Sequence, residues 1–130
     1  MSQKSKVEVD GVAPPAGHYS HGIVTAGRTL YVAGQVALDE EGQLVGRGDV
    51  TAQARQVLTN LERVVISAGG QLADVARTTV YLTSLEGRGP VGALRKEFFP
   101  DPPPANTLLV VTSLADPEFL VEIDAIVALP

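Results

Sequence analysis

Glu122 is the residue whose setting most suggests chemistry. It lies inside the apolar run Leu120-Val121-Glu122-Ile123-Asp124-Ala125-Ile126, and an unpaired carboxylate among such neighbours is costly to bury. Burial raises a carboxyl pKa, which suits the group to take or give a proton near neutrality. The plainer reading is a glutamate on the outward face of a strand. Asp124, two residues on, shares the strand face of Glu122. A close acid pair pushes one pKa upward, while Asp124 itself reads as structural. His18 and His21 flank Tyr19-Ser20. Histidine exchanges protons near pH 7, so His21 is a candidate to assist a reaction. Two histidines three apart also raise the question of a metal, but no third ligand follows at suitable spacing. A surface or interface histidine is the plainer reading, and no metal or other cofactor is expected.

The composition narrows what these residues can serve. With 130 residues the chain is the size of one domain, 1–130. A domain of that size buries roughly two thirds of the surface its unfolded chain exposes. Hydrophobic residues make up 45% and charged residues 19%, which is not a disordered composition. Three Phe, three Tyr and no Trp leave the core to aliphatic side chains. The absence of cysteine removes disulfides, thiol nucleophiles and zinc–thiolate sites, and fits a reducing compartment. Met1 to Asp10 is polar and lacks the apolar core of a secretion signal. No apolar stretch approaches the ~20 residues of a membrane span. The expectation is a cytoplasmic protein. A formal net charge of −5 with no basic stripe argues against a nucleic-acid partner.

The elements that must position these residues follow from pattern. Residues 1–13 read as an irregular lead-in, continued by the breakers Pro14, Pro15 and Gly17. Gly22 to Ala26 and Thr29 to Val32 read as strands joined into a tight hairpin at Gly27-Arg28. Val36 to Leu38 continues as a short strand, with Leu44-Val45 pairing back. Asp49 caps a helix whose stripe is Val50, Ala54, Val57, Leu58, Leu61, Val64, Val65 and Ala68. Gly69-Gly70 ends it, and Gln53, Arg55, Gln56, Glu62 and Arg63 form its solvated face. Asp74 to Ser84 is a strand. Pro90 opens a second helix that buries Val91, Leu94 and Phe98 and ends before Pro100. Leu108 to Thr112 and Phe119 to Val127 are the last strands, with a turn at Ala115-Asp116-Pro117 between them. A helix between strands implies some parallel pairing. Two helices cover only one face of a five- or six-stranded sheet. Because the strands read as apolar on both sides, the other face is expected to be buried against further copies of the chain.

Several segments, taken in order, resemble the RidA/YjgF family. They are Gly17-His18-Tyr19-Ser20-His21-Gly22, then Leu30-Tyr31-Val32-Ala33-Gly34-Gln35, then Gln53 with Asn60-Leu61 in the helix. Ala68-Gly69-Gly70, Asp74-Val75, Phe98-Phe99, Pro104-Ala105 and Leu120 to Ile126 follow. The resemblance spans about residues 14 to 128. It implies an α+β, chorismate-mutase-like subunit, with a mixed five- to six-stranded sheet and two helices packed on one face. It also implies a homotrimer whose sheets form a central barrel, with ligand clefts between subunits. The chemistry it implies is hydrolysis of enamines and imines, such as 2-aminoacrylate, to ketoacids and ammonia. Glu122 then matches the glutamate that positions the attacking water. Tyr19 matches the cleft tyrosine, though a packed aromatic is an equal reading. Gly34 matches a glycine whose missing side chain lets a ligand approach, though a strand-end turn needs no ligand.

The departures are as informative. Deaminating members carry an arginine after Pro-Ala that pairs with the substrate carboxylate; here the run is Pro104-Ala105-Asn106-Thr107. Asn106 cannot make a bidentate guanidinium–carboxylate contact. The loss is worth about one to three decades of affinity for an amino-acid-derived imine, unless an arginine such as Arg28 or a neighbouring subunit's Arg88 replaces it. The family's helix asparagine is Gly92, and a serine common in the second strand is Ala33. Ala33, Gly34, Gly92, Asn106, Thr107 and His21 are therefore the candidate substrate-binding residues, with Glu122 and Tyr19 as candidate catalytic ones. The expected function is hydrolysis or other transformation of an imine- or enamine-type small metabolite other than 2-aminoacrylate or 2-iminobutanoate, in the first place one without a free carboxylate. A different lyase or cyclase step at the same glutamate stays open. The alternative class is a non-catalytic metabolite-binding or scaffold protein on the same fold.

Overall fold

Two strands whose burial alternates along most of their length form the centre of this α+β fold. The computed structural model describes residues 3–130; Met1 and Ser2, the start of the lead-in, lie outside them. The described elements run β1 (Lys4–Lys6), β2 (Ile23–Thr25), β3 (Thr29–Gln35), α1 (Val50–Ser67), β4 (Val75–Leu82), α2 (Arg88–Phe98), β5 (Ala105–Val110) and β6 (Val121–Ala128). Four strands form one mixed sheet in the order β3-β6-β4-β5. The pairs β3–β6 and β4–β6 are antiparallel, and β4–β5 is parallel. Helix α2 provides the crossover between the parallel pair, as the strand–helix–strand order requires. The short loop after β3 pairs back on itself through the bridge Leu38–Leu44. No helix among the described residues is long and apolar enough to cross a membrane.

Both helices pack on one face of the sheet. Leu58, Leu61 and Val65 of α1 and Val91 of α2 are wholly buried with Val80 and Leu82 of β4 and Val121, Ile123 and Val127 of β6. Asp49 accepts a hydrogen bond from the Ala52 amide at 3.1 Å, capping α1 at its N-terminus. Gly69, at a φ of 90°, takes the left-handed conformation that ends it.

Three expectations need correction. The lead-in is not wholly irregular, because β1 pairs antiparallel with β2 in a separate two-stranded sheet. For the same reason β2 and β3 do not form a hairpin. The Gly27-Arg28 link allows one, but β3 is drawn into a long ladder with β6, and nothing local marks that partner. The six strands are thus divided four and two. Finally, Gln53 is wholly buried rather than solvated. Its Nε2 donates to the carbonyls of Gly46 at 3.1 Å and Glu118 at 3.0 Å, and its Oε1 accepts from the Leu120 amide at 2.9 Å. Three of the amide's four hydrogen-bonding positions are used, both donors among them, so the N-terminus of α1 is tied to the chain entering the strand that carries Glu122. Replacing Gln53 with Leu leaves three backbone groups without partners. The variant should lose about 2–4 kcal/mol of stability, read as a lower urea midpoint at fixed protein concentration.

Candidate functional site

The sheet's open face carries Glu122. Alternation along β6 sends Val121, Ile123 and Ala125 to the helices and Glu122, Asp124 and Ile126 to the other side. Cross-strand pairing sets Tyr81 beside Glu122 and Thr79 beside Asp124. This face is not apolar, contrary to expectation: Thr and Tyr form strands as readily as Val, so a hydropathy reading missed their hydroxyls. Tyr31, at 75% exposed, and Arg77, whose guanidinium donates to Thr107 Oγ1 at 2.8 Å, extend it.

Glu122 has a defined seat there. The β3–β6 register slips between Val32 and Gln35, a bulge that brings Gly34 against the glutamate. A Cβ on residue 34 would lie 2.8 Å from Glu122 Cδ, well inside van der Waals contact. Glycine at 34 therefore makes room for the Glu122 carboxylate. Ala33 lies in the same bulge and its carbonyl accepts from Gln35 Nε2 at 3.0 Å. Burial, then the neighbouring Asp124 charge, pushes the Glu122 pKa above its ordinary value. Asp124 accepts from the Tyr81 hydroxyl at 2.9 Å, which fits its structural reading.

A second group of the expected residues meets elsewhere. An open cleft of about 730 Å³ is lined by residues 16–19, by Arg88, Gly92, Arg95 and Lys96 of α2, and by Asn106 of β5. Ser20 pairs with Ala105 as an extra bridge at the sheet edge, and its amide donates to the Pro104 carbonyl at 3.1 Å. That bridge brings Tyr19 beside the start of β5. Tyr19 Oη accepts from the Ala16 amide at 3.3 Å, leaving its own O–H proton uncommitted. Asn106 Oδ1, in the assigned amide orientation, accepts from Thr78 Oγ1 at 2.8 Å; no described residue takes its Nδ2 protons. Gly92 faces open space, with nothing within 4 Å of a Cβ built on it.

The remaining candidates sit outside this cleft. Thr107 points to the open face with Arg77. His21 packs edge-on against the Tyr19 ring with centroids 5.9 Å apart, and its Nε2 is 2.6 Å from the Ala13 carbonyl. His18 lines the cleft, with Nε2 2.7 Å from the Phe99 carbonyl. Of the arginines considered as replacements, Arg88 lines the cleft of its own chain and Arg28 does not. Arg95 was overlooked. It is only 8% exposed, and its Nε is buried with no partner among the described residues. Burial lowers its pKa and the nearby Tyr19 oxygen opposes that; a guanidinium stays charged regardless. The signal was present, because Arg95 is four residues from Val91 and three from Phe98, on the helix's buried stripe.

Glu122 and the cleft are not contiguous in one copy. Strand β4 separates β6 from β5, so their axes are roughly 10 Å apart. The Glu122 and Asn106 side chains also leave opposite faces of the sheet.

Comparison with known proteins places this architecture. The sequence family described as Endoribonuclease L-PSP matches residues 6–129. The chain belongs to that family, the Rid (YjgF/RidA) family. A RutC family protein of Sulfurisphaera tokodaii is 38% identical over 112 residues, spanning 86% of this chain and 88% of that one. YyfB of Yersinia pestis, a protein of unknown function in the conserved Rid family, matches with a TM-score of 0.92 at 36% identity, covering 98% of this chain and 99% of that chain. RidA from an Antarctic Psychrobacter matches with a TM-score of 0.74 at 31% identity, covering 96% and 99%. Two helices packed on one face of a mixed sheet are thus the Rid fold.

Removing the Asp124 charge should release part of the upward pKa shift of Glu122. In Asp124→Asn, the titration midpoint of the Glu122 carboxyl, followed by carbon NMR, should move to lower pH. An unchanged midpoint would assign the whole shift to burial.

Proposed function

We propose that this Rid-family chain hydrolyses an imine- or enamine-type small metabolite in a cleft completed by a second copy of itself. The observation that carries the reading is Glu122, seated over Gly34 on an otherwise uncovered sheet face with its pKa raised. Such a carboxylate is suited to take a proton from water near neutrality. Water adds to the carbon of the C=N bond while Glu122 accepts one of its protons. Glu122 hands that proton to the nitrogen, giving a neutral carbinolamine; it then takes the hydroxyl proton and passes it to the departing nitrogen as the C–N bond breaks, so that ammonia leaves and a carbonyl compound remains. Tyr19 donates its free O–H to the substrate. The separation of Glu122 from the Tyr19 cleft supports a site made from two copies, and the family resemblance makes a trimer the simplest closed assembly. Lack of cysteine fits action in the cytoplasm. The net charge of −5 weighs against nucleic acid as substrate. With Asn106 on β5 where deaminating relatives carry arginine, the preferred imine differs from 2-aminoacrylate and 2-iminobutanoate.

The test is ammonia release from freshly generated 2-iminobutanoate and from larger and neutral imines. Wild type should turn over at least one of the others faster than 2-iminobutanoate, and Glu122→Gln should lower that rate by about 10²-fold or more. Rates unaffected by Glu122→Gln would sink the hydrolase reading and favour a cleft that only binds metabolites.

A further inference from the structure

We infer that His18 recognises the nitrogen of the ligand, its Nδ1 accepting a hydrogen bond from an N–H group held in the cleft. The inference rests on the proposed imine or enamine reading and deepens it by naming the residue that selects the nitrogen. A backbone carbonyl only accepts hydrogen bonds. The Phe99 carbonyl lies 2.7 Å from His18 Nε2, so in the assigned ring orientation Nε2 carries the proton and Nδ1 of the neutral ring bears a lone pair. No described residue donates to that lone pair. Asp101 Oδ1, 3.9 Å from Nδ1, lies beyond hydrogen-bond reach, and an ionised carboxylate has no proton to give. Among the described residues that are not exposed, Arg95 Nε is the one side-chain polar atom both sealed from solvent and unpartnered. Nδ1 therefore keeps accessible surface, and His18 lines the cleft.

The rest of the cleft makes this acceptor distinctive. Arg88, Arg95 and Lys96 can only donate. Tyr19 Oη already accepts from the Ala16 amide, and Asn106 Oδ1 from Thr78. No acidic side chain lines the cleft. His18 Nδ1 is thus the one side-chain acceptor on its walls that takes no hydrogen bond from a described residue. The three cations disfavour a positively charged iminium, so the nitrogen enters neutral. A neutral imine N–H or enamine NH₂ taken from water needs an acceptor, and Nδ1 supplies it. With its N–H held there, an imine nitrogen keeps its own lone pair for the proton that Glu122 delivers. A ketone, an ester or a fully substituted nitrogen offers Nδ1 no proton. The class selected is therefore a neutral nitrogen that bears at least one hydrogen.

Binding tests this apart from the hydrolase reading, because no turnover is needed. The probes are butanamide, N,N-dimethylbutanamide and methyl butanoate, titrated by NMR into wild type, Glu122→Gln, His18→Phe and His18→Asn. Wild type and Glu122→Gln should bind butanamide alike, and about 3- to 10-fold more tightly than the two probes without an N–H. His18→Phe should bind all three about equally. Asparagine sets an amide oxygen near the position of Nδ1, so His18→Asn should keep the preference. Both variants lose the donor to Phe99 and should unfold at a lower urea midpoint, so lost stability alone cannot separate them. In wild type, nitrogen NMR of the ring in mildly alkaline solution should show Nε2 protonated and Nδ1 bare. The Nδ1 resonance should move on adding butanamide and stay in place with the ester, a readout that needs no variant to fold. Nδ1 found protonated, no preference for butanamide in wild type, or a preference kept by His18→Phe or lost equally in both variants would overturn the inference. Imine turnover that needs Glu122 but is indifferent to both His18 variants would overturn it too, while leaving the hydrolase reading intact.

Discussion

The contact between the Glu122 carboxylate and the backbone of residue 34 is the constraint around which the open face is organised. Any side chain at 34 would occupy the carboxylate's place, so the bulge in β3 and the glutamate in β6 form one device. Two side-chain amides of α1 hold it, one wholly buried and one partly. Gln53 ties the chain entering β6 to the start of α1. Asn60, farther along α1, donates to the carbonyls of Val36 and Leu38 at 3.1 and 2.9 Å, fixing the chain as it leaves the bulge. One helix thus sets both strands that meet at the carboxylate, and the face Glu122 occupies is left free for chemistry or association.

The second consequence is a division of labour. The open face holds the group suited to move a proton, while the cleft beneath α2 holds groups suited to bind. The cleft's cations, Arg88, Arg95 and Lys96, and the acid pair at Glu122 and Asp124 have opposite charge. Within one copy the intervening strand keeps them apart. In the proposed assembly, closing the sheet face against another copy also brings them together.

Much of this was legible in the sequence, for identifiable reasons. Helix α1 announced itself through Asp49, a stripe at helical spacing and Gly69. Glu122 stood out because a charge interrupted an apolar strand. What failed depended on contacts remote in sequence. Gln53 is polar and so read as solvated, yet its amide meets three backbone groups from two loops. Lys4 to Lys6 offers no apolar pattern, so its pairing with β2 left no trace. The bulge that sets Gly34 against Glu122 likewise has no local mark. Arg95 sat on a readable stripe, three residues before Phe98, and was passed over.

Subunit mixing tests the two-copy site most directly. Glu122→Gln and the cleft variant Tyr19→Phe/Asn106→Ala would be co-expressed with different tags, and mixed oligomers isolated. Each variant alone should release little ammonia from the imine that wild type prefers. If Glu122 of one copy serves the cleft of another, the mixture should recover turnover well above either parent, because some clefts regain both halves intact. Turnover no greater than that of the parents would place both halves in a single copy and contradict the account.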